Sequence, residues 1–108
     1  MNGGMLKPFN LSNNSTKFNK SFKFQLQTNY PNPFNPKTNI RFDIGIRSFV
    51  KLTIYNILGQ LITTLVNDVK DPGSYSVEFD GTNLSSGLYI YRIDAGNYIE
   101  AKKMLLIK

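Results

Sequence analysis

The sequence predicts an all-β fold, an immunoglobulin-like β-sandwich of about seven strands behind a disordered N-terminal lead-in. Three observations carry this. Apolar residues recur with period two, not the helical ~3.6, from Phe24 onward. Turn-forming residues interrupt the chain at the roughly 8–12-residue intervals of a sandwich. No stretch longer than a turn has a helical pattern.

Taken in order, Ile40, Phe42 and Ile44 alternate with Asn39, Arg41 and Asp43, a strand with one buried and one wet face. Val50, Leu52 and Ile54 alternate in the same way with Lys51, Thr53 and Tyr55. Leu58-Gly59-Gln60 makes the next turn. From Leu61 to Val66 the apolar residues come in pairs, with Ile62 and Leu65 three apart, which predicts a bulge or a twisted edge strand. After the Asp71-Pro72-Gly73 turn, Tyr75, Val77 and Phe79 alternate with Ser76, Glu78 and Asp80. Tyr89, Tyr91 and Ile93 form the next inward set, and Ala95-Gly96-Asn97 marks a tight hairpin. The last run, Met104 to Ile107, is bracketed by Lys102, Lys103 and Lys108 and reads as a strand covered on both faces.

A chain of 108 residues is one domain plus whatever tail it carries. The division expected is a flexible linker or lead-in over residues 1–23 and a globular domain over 24–108. The formal charge of +6 follows that division: Lys7, Lys17, Lys20 and Lys23 face no acid in the lead-in, and nine bases face seven acids beyond it. The basicity therefore belongs mostly to an Asn/Ser/Lys-rich tether and does not form the basic, aromatic-interleaved surface of a nucleic-acid binder. No apolar run is long enough for a transmembrane segment. The first twenty residues also lack the apolar core of a secretory signal.

Ser85-Ser86-Gly87-Leu88-Tyr89 has the layout of a tyrosine corner, in which a tyrosine hydroxyl bonds back to nearby backbone at the opening of a strand. Where antibody domains place a cysteine two residues later, this chain has Tyr91, and the sequence contains no cysteine. Aromatics must close this core. The plain alternative for Tyr89 is an ordinary core aromatic.

The most unusual stretch is Asn29-Tyr-Pro-Asn-Pro-Phe-Asn-Pro36, with prolines at 31, 33 and 36. Proline biases the residue before it toward extended backbone, and asparagine side chains supply hydrogen bonds that proline cannot. The expectation is a stiff, non-helical crossing that enters the sandwich with Tyr30 and Phe34 packed onto its end and blunts an exposed edge. A PxxP ligand is the weaker reading of Pro33 and Pro36.

That motif, followed in order by VKLTIYNILGQLITTLV, SSGLYIYRIDAG and KKMLLIK, resembles the type A C-terminal sorting domain of the type IX secretion system. Such domains are similar in fold to the immunoglobulin-like domain of the flagellar hook-capping protein. The resemblance runs from about Phe24 to Lys108. It implies a non-catalytic sorting signal that directs an N-terminal cargo protein across the outer membrane to the cell surface or medium. It also implies two partners, the outer-membrane translocon and a sortase-like signal peptidase. The residues it carries over are Tyr30, Pro31, Asn32, Pro33, Phe34, Asn35 and Pro36 in the first motif. Ser86, Gly87, Tyr89 and Tyr91 follow at the opening of a strand, and Lys103 to Lys108 form the terminal motif. Phe79 stands where many relatives have tryptophan. A sorting label without cargo or signal peptide is either the end of a longer reading frame or a decayed remnant; the intact period across every strand favours the first, with the lead-in joining cargo to label.

Other function classes have less support. The seven acids are scattered without motif spacing, and the absence of histidine and cysteine removes the usual general bases, nucleophiles and metal ligands. No catalytic residue, metal site or cofactor is expected. A structural or adhesive immunoglobulin-like module of a surface protein is the serious rival, separated from the sorting reading by position, since such modules recur in tandem.

Overall fold

The structure is a computed structural model and describes residues 23–108. The expected lead-in lies outside the described residues except for Lys23. Seven strands follow in order: β1 (Gln25–Leu26), β2 (Lys37–Ile44), β3 (Ser48–Asn56), β4 (Leu61–Lys70), β5 (Gly73–Asp80), β6 (Gly87–Ala95) and β7 (Tyr98–Leu106). They form two antiparallel sheets, β1-β2-β5 and β4-β3-β6-β7. No helix occurs among the described residues.

The alternation read in the sequence is the alternation of burial. Ile40, Phe42 and Ile44 from one sheet meet Val50, Leu52, Ile54, Tyr91 and Ile93 from the other, all fully buried. Phe79 and Phe34 close one end, with ring centroids 6.0 Å apart in an edge-on pair. β4 is an edge strand, and its pairing with β3 slips twice, between Leu52 and Thr53 and between Ile54 and Tyr55. The unpaired residues are Leu65 and Ile62. Each bulge turns one more apolar side chain toward the core, so the paired pattern in the sequence marks this irregularity.

Three features differ from expectation. β1 is too short to show any period. β7 starts at Tyr98, six residues before its apolar run, because its inward positions include Glu100 and Lys102, which pair at 3.4 Å. The run itself is covered on one face: Met104 and Leu106 are buried, and Leu105 and Ile107 are exposed. β7 is the outer strand of its sheet, and nothing among the described residues lies over its far face.

Candidate functional site

Residues 31–36 form the loop that leads from Tyr30 into β2 at Lys37, and the Tyr30–Asn39 bridge closes its base. This loop leaves the β1-β2-β5 sheet and reaches the far edge of the other one. Phe34 makes a parallel bridge with Leu106: its amide donates to the Leu105 carbonyl at 2.9 Å, and its carbonyl accepts from the Ile107 amide at 3.0 Å. Asn32 Oδ1 accepts from the Leu105 amide at 3.0 Å. The proline-rich motif thus satisfies the outward backbone groups at the end of β7, where an unpaired edge would otherwise be open to another chain. The peptide bonds preceding Pro31, Pro33 and Pro36 are all cis.

Neighbouring residues extend this clasp. The Lys108 amide donates to Ser86 Oγ at 2.9 Å, and its ammonium group donates to the Thr82 carbonyl. The Gly81 amide donates to the Pro36 carbonyl at 2.8 Å. A methyl group on Gly81 would sit 3.0 Å from Leu106 Cδ2 and 3.4 Å from both a Phe34 ring carbon and the Pro36 carbonyl oxygen. A side chain there would make Leu106 and Phe34 give by a few tenths of an ångström, so glycine suits the close approach of these three segments. Beside it, the Thr82 hydroxyl and amide bond the Asp80 carboxylate, and with help from Lys37 and Lys108 they hold that carboxyl below its ordinary range.

The two tyrosines of β6 do different work. The Tyr89 hydroxyl donates to the Ser85 carbonyl at 2.7 Å, which is tyrosine-corner geometry. Gly87, two residues earlier, has φ 153°, a backbone conformation that favours glycine. Tyr91 spans the sandwich: its hydroxyl donates to the Gln27 carbonyl at 2.7 Å and accepts from the Asn29 amide at 2.9 Å. It joins the strand of one sheet to the segment leaving β1 in the other, a hydrogen-bonded tie where an antibody domain has a covalent one. Burial is the main cause of the raised Tyr91 pKa, and the Asn29 amide partly offsets it.

The structure therefore brings Asn32, Phe34, Pro36, Ser86 and Lys108 to one end of the sandwich. Three expected site residues lie apart. Tyr30, expected to pack on that end, is 78% exposed, because its bridge to Asn39 turns both side chains outward. Tyr91 is in the core, and Lys103 lies on the outer face of β7. Three contributors went unread in the sequence. Asn29 is buried and donates from its side chain to the Pro31 carbonyl at 3.1 Å and to Thr38 Oγ1 at 3.0 Å. Thr38 in turn donates to the Pro31 carbonyl at 2.8 Å, and Gly81 is the third. No group of three or more metal-ligating side chains occurs among the described residues, and no helix there is long and apolar enough to cross a membrane.

The family of secretion system C-terminal sorting domains matches residues 28–108. The chain belongs to this family. It is a C-terminal sorting signal of type IX secretion, as the resemblance of its motifs implies, and the clasp lies wholly within the matched residues. Among solved structures, the sorting domain is similar in fold to a part of dimeric latent PorU from Porphyromonas gingivalis, with TM-score 0.62 and 18% identity. That likeness covers 80% of this chain and 9% of the other, so the sorting domain spans a small part of that protein's length. No curated protein matches it in sequence.

Proposed function

We propose that the sorting domain is a non-catalytic label whose recognised surface is the clasped end of the sandwich. The single observation that carries this is the junction of the first and last motifs. Asn32 and Phe34 bond Leu105 and Ile107, and Ser86 bonds Lys108, so residues far apart in sequence present one surface. In this reading Pro31 to Pro36, Ser86, Gly87 and Tyr89 build that surface and Lys108 supplies charge on it, while Tyr91 braces the core behind it and Tyr30 and Lys103 flank it on the outer faces. Its readers are the outer-membrane translocon and then a sortase-like signal peptidase that separates label from cargo. Residues 1–23 are the linker to an N-terminal cargo, and 24–108 are the label. The cargo is delivered by way of the periplasm to the cell surface or medium.

The test is a reporter carrying a signal peptide at its N-terminus and this chain at its C-terminus, in a host with type IX secretion. Lys103→Ala/Lys108→Ala should leave the denaturation midpoint near the parent's, because exposed lysines contribute within about ±0.5 kcal/mol. The same variant should hold the reporter in the periplasm. Export at the parental rate would remove both lysines from the recognised surface.

A further inference from the structure

Eleven large hydrophobic side chains are exposed among the described residues, and six of them gather at one corner of the four-stranded sheet. They are Ile57, Leu58, Leu61, Leu88, Leu105 and Ile107, between 37% and 78% exposed. The register accounts for the gathering. Leu88 faces Leu105 across β6 and β7, and Tyr55 stands between Leu61 on β4 and Ile90 on β6. Ile90 in turn faces Lys103. Because successive residues alternate faces, these side chains point away from Tyr89, Tyr91, Met104 and Leu106, which fill the core. Asn56 pairs with Tyr89, so Ile57 leaves β3 beside Leu88.

Two further observations set the chemistry of this corner. The turn carrying Ile57 and Leu58 is rigid: Asn56 Oδ1 accepts from the Leu58 amide at 2.9 Å and the Gln60 amide at 3.0 Å, and Asn56 Nδ2 donates to Gln60 Oε1 at 2.7 Å. The second observation is charge. The four ion pairs among the described residues use Arg47, Lys70, Arg92 and Lys102, so Lys103, which ends its row on the edge strand β7 beside the apolar corner, has no carboxylate partner among them. No acid occupies the rows Leu61-Tyr55-Ile90-Lys103 or Leu88-Leu105.

We infer that this corner is the docking face for a partner protein whose surface is apolar at its centre and carries a carboxylate opposite Lys103. The inference rests on the sorting reading and names the face through which the label is held. A second copy of this chain docked corner to corner is disfavoured, because these rows hold no carboxylate to meet Lys103. A bilayer is disfavoured because the exposed side chains are aliphatic and Tyr55 alone is aromatic in these rows, short of the aromatic belt of an interfacial binder. Six such side chains present several hundred Å², the size of a functional patch on an ordinary monomer. That is less than the ~800 Å² per partner of a standard interface and in the size range of transient contacts.

The reporter fusion tests this with Leu58→Ser/Leu61→Ser, with Lys103→Glu, and with Ile46→Ser/Val69→Ser as an equally exposed apolar control away from the corner. All three should keep the parental denaturation midpoint. Export should fall about tenfold or more in the first two and stay near the parent's in the control, as for loss of a hot-spot contact. Parental export of the Leu58/Leu61 and Lys103 variants overturns the docking face and leaves the sorting reading standing. An equal loss in the control overturns the face as well, since exposed apolar surface in general would then be what matters. Failure of the parent fusion to export overturns the sorting reading and the inference together. Vesicles of anionic phospholipid, mixed with the full 108-residue chain, decide the occupant. Binding that Leu58→Ser/Leu61→Ser abolishes overturns the protein partner in favour of a membrane surface, and absence of binding supports the protein.

Discussion

Replacing Tyr91 with phenylalanine removes one oxygen and keeps the ring that packs the core. The hydroxyl has two backbone partners, the Gln27 carbonyl and the Asn29 amide, and both lose their bond together. The Asn29 amide belongs to a residue only 1% exposed, so water cannot replace the lost acceptor. An orphaned buried donor costs about 1–3 kcal/mol, and the half-buried carbonyl adds about 0.5–1.5 kcal/mol. The expected loss is therefore about 1.5–4.5 kcal/mol, a large share of the ~4–13 kcal/mol available to a domain of this size. Tyr89→Phe forfeits only one bond, to a single partly buried carbonyl, and should cost about 0.5–1.5 kcal/mol. Urea denaturation of the two variants, fitted with a common m value, measures both. A Tyr91→Phe loss no greater than that of Tyr89→Phe would refute the inter-sheet tie and leave Tyr91 as ordinary packing.

Other expectations follow from the same geometry. Gly81→Ala should cost about 1–3 kcal/mol through overpacking against Leu106 and Phe34, read as a lowered denaturation midpoint; an unchanged midpoint would mean the clasp yields freely. Phe34→Ala should cost about 3–5 kcal/mol, and Tyr30→Ala should stay within about 0.5 kcal/mol because that ring is exposed. Tyr98 donates to Glu100 at the opposite end, and burial first, then this bond, pushes its pKa up from 10.0 to about 12. The raised value favours the neutral phenol in the fold, so its stabilisation is full below pH 10.0 and is lost as pH rises toward about 12. Tyr98→Phe should flatten that alkaline loss, which denaturation midpoints across the window will show. On the acid side Glu100 is held below its ordinary 4.5 by the Tyr98 hydroxyl, so its contribution is present above pH 4.5 and is lost as pH falls below it. Glu100→Gln should weaken the acid dependence in the same measurement.

Strands β2, β3, β5 and β6 were legible because each has one dry and one wet face, and the period of two records that directly. β4 was legible by its irregularity, since Ile62 and Leu65 are the residues that its bulges leave unpaired. β7 was read short because its pattern is inverted over its first half: Ile99 faces outward, and Glu100 and Lys102 face inward as an ion pair. The site was legible as motifs but not as a place. Nothing local to Asn29 tells that its amide meets a hydroxyl on β6, 62 residues away. Nothing in the proline spacing tells which of Tyr30 and Phe34 turns inward, because that depends on the bridge to Asn39. Gly81 went unread because the demand on its size comes from Leu106 and Phe34, both distant in sequence.

The clasp also ties the state of one loop to the folding of the whole domain. Asn32 and Leu105 are 73 residues apart, so the bond between them forms only when nearly the whole domain is present and already folded back on itself. Contacts of such long range make a β-sandwich slow to fold, and until they form, the outward backbone groups at the end of β7 are open to association with other chains. A chain missing its final residues would keep most of its core side chains. It would lose the partners of Phe34, Asn32 and Ser86 in one step. A machine that inspects this end of the sandwich would therefore be checking, in a single contact, that β7 is in place and that the domain has finished folding.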